Sequence, residues 1–141
     1  MELELEQKFV HSISDSLDLA GAAPLLCAGI TTYSPLRLWG AHPGSKFGVV
    51  GLGGLGHMAL KLAEAMGTDV TLFSRSQGKA EDAKRLGADH FLISSHPEQM
   101  EAVAGQFDLI IDTLPYNHDM NPYAKALVPK GSLVFVGFFG S

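Results

Sequence analysis

From residue 46 onward, short apolar runs alternate with stretches in which apolar positions recur every three or four residues. The run 46–50 (KFGVV) is short, apolar and stopped by glycine, which predicts a buried strand. Residues 54–66 place Leu55, Ala59, Leu62 and Met66 on one stripe, with Lys61 and Glu64 away from it, which predicts a helix ended by Gly67. The same reading predicts strands at 70–73, 90–93, 109–113 and 132–136. Helices are expected at 78–86, closed by Gly87, at 97–104, where Pro97 suits the first turn, and at 122–127. Strands separated by helices pair in parallel, because only a crossover connection returns the chain to the same edge of a sheet. Their runs are continuously apolar, so both sheet faces are covered. The expected fold class is α/β, a Rossmann-type doubly wound parallel sheet.

The two ends fall outside this rhythm. The segment 19–33 (LAGAAPLLCAGITTY) is small and apolar, which predicts a buried helix with a break at Ala23, before Pro24. At the other end, 137–141 follow directly on the fifth predicted strand, where a full dinucleotide fold adds a sixth; a cut is expected there. Residues 46–141 are therefore expected to form the nucleotide domain, and 1–45 to lead into it.

Between the first strand and the first helix runs Gly51-Leu52-Gly53-Gly54-Leu55-Gly56, a G-x-G-x-x-G turn. Gly51 permits the bend out of the strand, Gly53 lets a pyrophosphate approach the backbone, and Gly56 lets helix and sheet pack closely. The helix N-terminus offers unpaired N–H groups to the phosphates. An isolated match is weak, and its bland reading is a tight turn with no ligand. Here strand and helix are each legible on their own. No Lys-Ser or Lys-Thr follows, which excludes a Walker phosphate loop, and no Gly-x-Ser-x-Gly hydrolase turn is present.

The choice of nucleotide rests on the end of the second strand. An acid there accepts from the adenosine ribose 2′-hydroxyl and repels a 2′-phosphate. This chain instead has Ser74-Arg75-Ser76, with Lys79 a helical turn on. The serines can donate hydrogen bonds, and the cations can pair with a phosphate. A charge-assisted bond contributes about 1.5–3 kcal/mol, enough to shift preference roughly 10- to 100-fold. NADP(H) is the expected cofactor; the bland alternative makes Arg75 and Lys79 solvated surface charges. A methyltransferase also uses a glycine-rich turn, but it too favours the missing acid.

Composition narrows the classes further. Ten Lys and Arg face 15 acids, for a net charge of −5, which gives no general attraction to nucleic acid. No apolar run approaches the roughly 20 residues that span a bilayer, and the acidic start is neither a signal nor a transit peptide. A cytoplasmic location is the default expectation. Cys27 is the one cysteine, so internal disulfides and multi-cysteine zinc clusters are excluded; taken alone it reads as a buried structural thiol. His57, on the first helical turn, reads as exposed or phosphate-facing. His11, His42, His90, His96 and His118 show no metal-type pairing and read as surface or packing residues. Asp108 and Asp112 bracket the fourth strand, and Asp112 reads either as a ligand contact or as a loop cap.

Four strings are more specific: 23–36 (APLLCAGITTYSPL), 49–61 (VVGLGGLGHMALK), 86–90 (LGADH) and 107–115 (FDLIIDTLP). In content, order and approximate spacing they resemble the cinnamyl-alcohol-dehydrogenase-like branch of the medium-chain, zinc-containing alcohol dehydrogenases. The resemblance implies reversible reduction of an aldehyde to an alcohol, with NADP(H) and a catalytic zinc. It implies that Cys27 is one zinc ligand, and that Thr31 lies near the nicotinamide side. Gly51, Leu52, Gly53, Gly54, Leu55 and Gly56 would carry the pyrophosphate, and Ser74, Arg75, Ser76 and Lys79 the 2′-phosphate. Thr113 and Gly137 would meet the nicotinamide ribose. It also implies that cofactor domains pair through a sixth-strand edge, which makes a homodimer a hypothesis. A catalytic zinc needs about three protein ligands, and Cys27 is the one recognisable here, so no turnover is expected of this chain alone. A non-enzymatic NADP(H)-binding module or sensor is the alternative, and a methyltransferase-like nucleotide binder a third.

Overall fold

The computed structural model describes residue 4 and residues 6–137. Residues 1–3, 5 and 138–141, which include part of the acidic start and most of the segment after the fifth predicted strand, lie outside the described residues. Two short helices, α1 (Leu19–Ala22) and α2 (Ala28–Leu38), precede the alternating part. Then follow β1 (Lys46–Val50), α3 (Gly54–Ala65), β2 (Asp69–Ser74), α4 (Ala80–Arg85) and β3 (His90–Ile93). The described order closes with α5 (Pro97–Ala102), β4 (Phe107–Asp112), α6 (Asn121–Ala126) and β5 (Leu127–Phe135). The strands form one sheet in the order β3-β2-β1-β4-β5, and every neighbouring pair is parallel. This is the doubly wound α/β fold that the apolar runs predict.

Successive residues of a strand point to opposite faces, and both faces are packed. Phe47 and Val49 of β1, Val70 and Leu72 of β2, and Leu109 and Ile111 of β4 meet α2, α3 and α4. Val50, Phe73, Phe107 and Ile110 meet Met100 of α5 and Tyr123 and Ala126 of α6. The ring of Phe73 stands edge-on to Phe107 (5.2 Å between centroids) and to Tyr123 (5.6 Å). Burying an aliphatic or aromatic side chain of this size stabilises a fold by about 1.5–3 kcal/mol.

Four expectations need correction. The buried stripe of α3 runs through Gly56, Ala59, Leu60 and Ala63, while Leu62 and Met66 are only partly buried. The stripe turns because Gly56, which carries no hydrophobic signal, is pressed onto the backbone of Gly51, just after β1. Residues 78–86 form a 3-10 turn (Gln77–Lys79) followed by α4. β5 begins at Leu127, not at residue 132, and crosses a register shift opposite Phe107/Leu109 in which Lys130 takes φ 70°. Pro129, Lys130 and Gly131 read as turn residues, and the partner strand overrides that local preference. Finally, 19–33 breaks at Ala23 as expected, but the segment is mostly exposed rather than buried. It breaks into α1, a 3-10 turn (Ala23–Leu26) and α2, with Leu19, Leu25, Leu26 and Ile30 exposed. Only Ala22, Gly29 and Thr32 of that segment are buried.

Gly48 faces the second core. A Cβ there would stand 2.8 Å from Cε2 of Phe73 and 3.0 Å from Cγ1 of Ile110. Both neighbours are fully buried, and Phe73 is wedged between two other rings. Gly48→Ala is therefore expected to lower stability by about 1–3 kcal/mol, as overpacking does; an unchanged melting temperature would contradict it.

Candidate functional site

β1 pairs with β2 on one side and β4 on the other, so the strand order reverses beside it. In an open parallel sheet a crevice forms there, beyond the carboxyl ends of the strands. Gly51 sits on its floor with φ 88°, a left-handed conformation that side chains disfavour. A Cβ on Gly51 would also stand 2.7 Å from Cδ2 of Leu114. One on Gly56 would overlap the carbonyl oxygen of Gly51, which is backbone and cannot turn aside. The turn is braced from β4: the hydroxyl of Thr113 donates to the Val50 carbonyl (2.7 Å), and so does the Thr113 amide (3.1 Å). Gly53 and Gly54 differ, since a Cβ on either meets nothing within 4 Å. They border open space at the start of a 12-residue helix, where first-turn amides have no intrahelical acceptor.

On one side of this turn lies a cleft of about 260 Å3, bordered by Gly51, Leu52, Ser74, Arg75, Tyr116 and Tyr123 and reaching Ser76 and Lys79. Its lining contains two cations and no carboxylate. A second hollow, also about 260 Å3, shares Leu52 and Lys79 with the first and runs past Gly53, Gly54 and His57 to Arg85. Asp82 in that hollow is paired with Arg85 at 2.8 Å. The end of β2 is bent into a tight turn. The Ser74 hydroxyl accepts from the Ser76 amide and donates to the Ser76 carbonyl, each at 3.3 Å. Just after β3, the Ser94 amide holds the Ser74 carbonyl (2.8 Å) and the Ser95 hydroxyl the Arg75 carbonyl (3.4 Å). The Arg75 guanidinium lies over the Tyr116 ring, 5.1 Å from its centroid.

Gly51, Leu52, Gly53, Gly54, Ser74, Arg75, Ser76 and Lys79 thus border two adjoining hollows, and Leu55 and Gly56 of the same turn line neither. Thr113 lies at the crevice floor, with both its donors committed to Val50. Gly137 packs so closely on Leu114 that a Cβ would overlap the Leu114 carbonyl oxygen. Thr31 is half-buried on α2, the helix that lies along α3. Cys27 caps the N-terminus of α2 and is exposed, which corrects its reading as a buried thiol. Among the described residues no group of three His, Cys, Asp or Glu side chains gathers as a metal would require.

Sequence reasoning missed the loop after β4. Leu114 and Tyr116 border the cleft, and Tyr123 closes it from α6. Of the two readings of His118, surface or packing, packing holds: its side chain is 14% exposed, and Nε2 lies 2.8 Å from Oδ2 of fully buried Asp112. Burial holds the Asp112 carboxyl above the usual carboxylate range, more than the Leu114 amide and His118 together lower it. The Tyr123 phenol is likewise pushed up by burial, against a hydrogen bond with Ser94. The available signal was an acid ending a parallel strand with a histidine closing the loop behind it.

Residues 54–141 match the model of the family described as zinc-binding dehydrogenase. The chain belongs to the zinc-binding dehydrogenase family. Its similarity to the cinnamyl-alcohol-dehydrogenase-like branch is borne out by relatives. It is 54% identical over 133 residues to an NADP-dependent alcohol dehydrogenase C of Mycolicibacterium smegmatis, covering 94% of this chain and 38% of the relative. With cinnamyl alcohol dehydrogenase 7 of Arabidopsis thaliana it shares 53% over 133 residues, covering 93% and 37%. A solved cinnamyl alcohol dehydrogenase from Sorghum bicolor superposes with a TM-score of 0.91 at 51% identity, over 94% of this chain and 38% of that one. The Helicobacter pylori enzyme, solved with NADP(H), gives 0.81 at 44%, over 90% and 35%. This zinc-binding dehydrogenase chain therefore spans about 38% of the length of the curated relatives it matches.

The glycines of the turn separate by substitution. Gly56→Ala forces backbone apart and is expected to cost about 1–3 kcal/mol. Gly53→Ala, with open space around it, is expected to stay within about 0.5 kcal/mol of the parent. Denaturant melts of the two variants check the order; equal losses would refute it.

Proposed function

We propose that this chain is the NADP(H)-binding portion of a zinc-dependent alcohol dehydrogenase that interconverts aldehydes and alcohols. Residues 46–137 supply the nucleotide domain, and the segment before residue 46 connects it to the rest of the enzyme. The observation that carries the reading is the lining of the cleft beside β2, which holds Arg75 and Lys79 and no carboxylate. An NAD-type site places an acid there. The residues fit the cofactor. Gly53 and Gly54 leave a cradle that a Cβ would fill, and the amides opening α3 can accept the charge of a pyrophosphate. Ser74 and Ser76 line the cleft together with Arg75 and Lys79, a set suited to a 2′-phosphate. When bound, the cofactor supplies or accepts hydride. The chain's part is to anchor it by its phosphates and fix its orientation.

Zinc is a different matter. Cys27 is offered as one ligand in the whole enzyme, but one thiolate does not make a site that needs about three. The described residues do not fit the ion by themselves.

The test is a fluorescence titration of the chain with NADPH and NADH. NADPH is expected to bind more tightly, and Ser74→Asp with Arg75→Ala to weaken NADPH roughly 10- to 100-fold while sparing NADH. Equal affinities in the parent chain, or an unchanged ratio in the variant, would overturn the assignment.

A further inference from the structure

The loop after β4 is tied down by one buried pair. Asp112 accepts the Leu114 amide on Oδ1 (3.0 Å), and its Oδ2 lies 2.8 Å from Nε2 of His118. Both atoms are sealed from solvent and lie at ion-pair distance from each other, and neither makes an aligned hydrogen bond to any described residue. On the far side of the ring, Nδ1 lies 3.0 Å from the Tyr116 carbonyl oxygen. The Tyr116 ring stands edge-on to His118 (6.1 Å) and carries the Arg75 guanidinium over its face (5.1 Å). A chain of contacts therefore runs from a buried carboxylate to the cation at the cleft mouth.

We infer that Asp112 and His118 are positioning residues that clamp the loop 113–118, so that Tyr116 holds Arg75 at the phosphate end of the cleft. The inference rests on the NADP(H) reading of that cleft.

The geometry fixes the proton count. A carbonyl only accepts, so Nδ1 must carry a hydrogen to donate to Tyr116. Nε2 and the carboxyl oxygen then need a second proton between them, on one or the other. The pair therefore holds one proton more than a neutral imidazole beside a carboxylate. Lose it, and a bare nitrogen faces an oxygen at one end of the ring, whichever tautomer forms. Burial of Asp112 favours retaining that proton in the folded state. The sign follows from the raised Asp112 carboxyl: the clamp is complete at low pH and is lost as pH rises. The other groups facing the pair do not supply the change. Arg75 stays charged, the Tyr123 phenol (ring 5.8 Å from His118) is pushed up by burial, and Tyr116 faces the ring from the loop itself. Asp119 turns its carboxylate to Asn121 (2.8 and 3.0 Å).

Asp112→Asn separates the clamp from its proton. An amide can accept from Leu114 and donate to a neutral Nε2, so the loop stays held without the extra proton. The experiment measures the NADPH-to-NADH affinity ratio of the full chain from about pH 6 to about pH 9. In the parent the ratio is expected to fall about three- to tenfold more than in Asp112→Asn, whose profile carries only the titration of the ligand's own phosphate. His118→Phe is expected to show the lowered ratio throughout. A nitrogen NMR spectrum of the His118 ring in the parent, which needs no cofactor, should show Nδ1 protonated. Parallel profiles for the parent and Asp112→Asn, or a ring protonated at Nε2 alone, would overturn the clamp. If His118→Phe does not fold, the Asp112→Asn comparison still decides. If the parent shows no NADPH preference at any pH, the cofactor reading fails instead, and the ring spectrum judges the clamp.

Discussion

The carbonyl oxygen of Gly51 and the α-carbon of Gly56 lie so close that no side chain fits between them. That approach sets where α3 starts, how it leans on the sheet and which of its residues are buried. Thr113 joins the same knot from β4 through its two hydrogen bonds to Val50. The end of β1, the start of α3 and the end of β4 thus form one rigid corner. The crevice beside β2 is the space this corner leaves. Its edge at the end of β2 is fixed, because Ser94 and Ser95 hold the backbone of Ser74 and Arg75 in turn.

Much of this was legible in the sequence because continuous apolar runs and glycine stops are local signals. KFGVV is a strand in either reading, and G-x-G-x-x-G has few other uses between a strand and a helix. The serine-arginine-serine corner was legible for a similar reason, since it shows what replaces a missing acid. What local pattern could not supply was pairing across the fold. β5 runs through Pro129, Lys130 and Gly131 because β4 offers it hydrogen-bond partners on either side of the bulge. The stripe of α3 turned because glycine counts as nothing on a hydrophobicity scale, yet Gly56 is buried against the backbone of Gly51. Capping the loop was one of the two sequence readings of Asp112, and its Oδ1 accepts the Leu114 amide. Its pairing with His118 stayed hidden because a loop brings the two together, and no helical spacing announces such a pair.

The overall charge and the local charge point in opposite directions. The chain is net acidic, yet the cleft lining carries two cations without an acid. Global charge governs solubility and long-range attraction, whereas the choice among small anions is decided within a few ångströms. The bent serine turn adds preorganisation: its polar groups are already oriented, so less ordering cost falls on binding.

Phe73 adds a final connection. Its ring occupies the slot left empty by Gly48, and the next residue along the chain is Ser74. The phosphate corner therefore cannot open as an independent hinge; it belongs to the same cooperative unit as the central strands. Backbone protection there should track global unfolding rather than local fraying, which makes the rigidity of recognition a property inherited from the core.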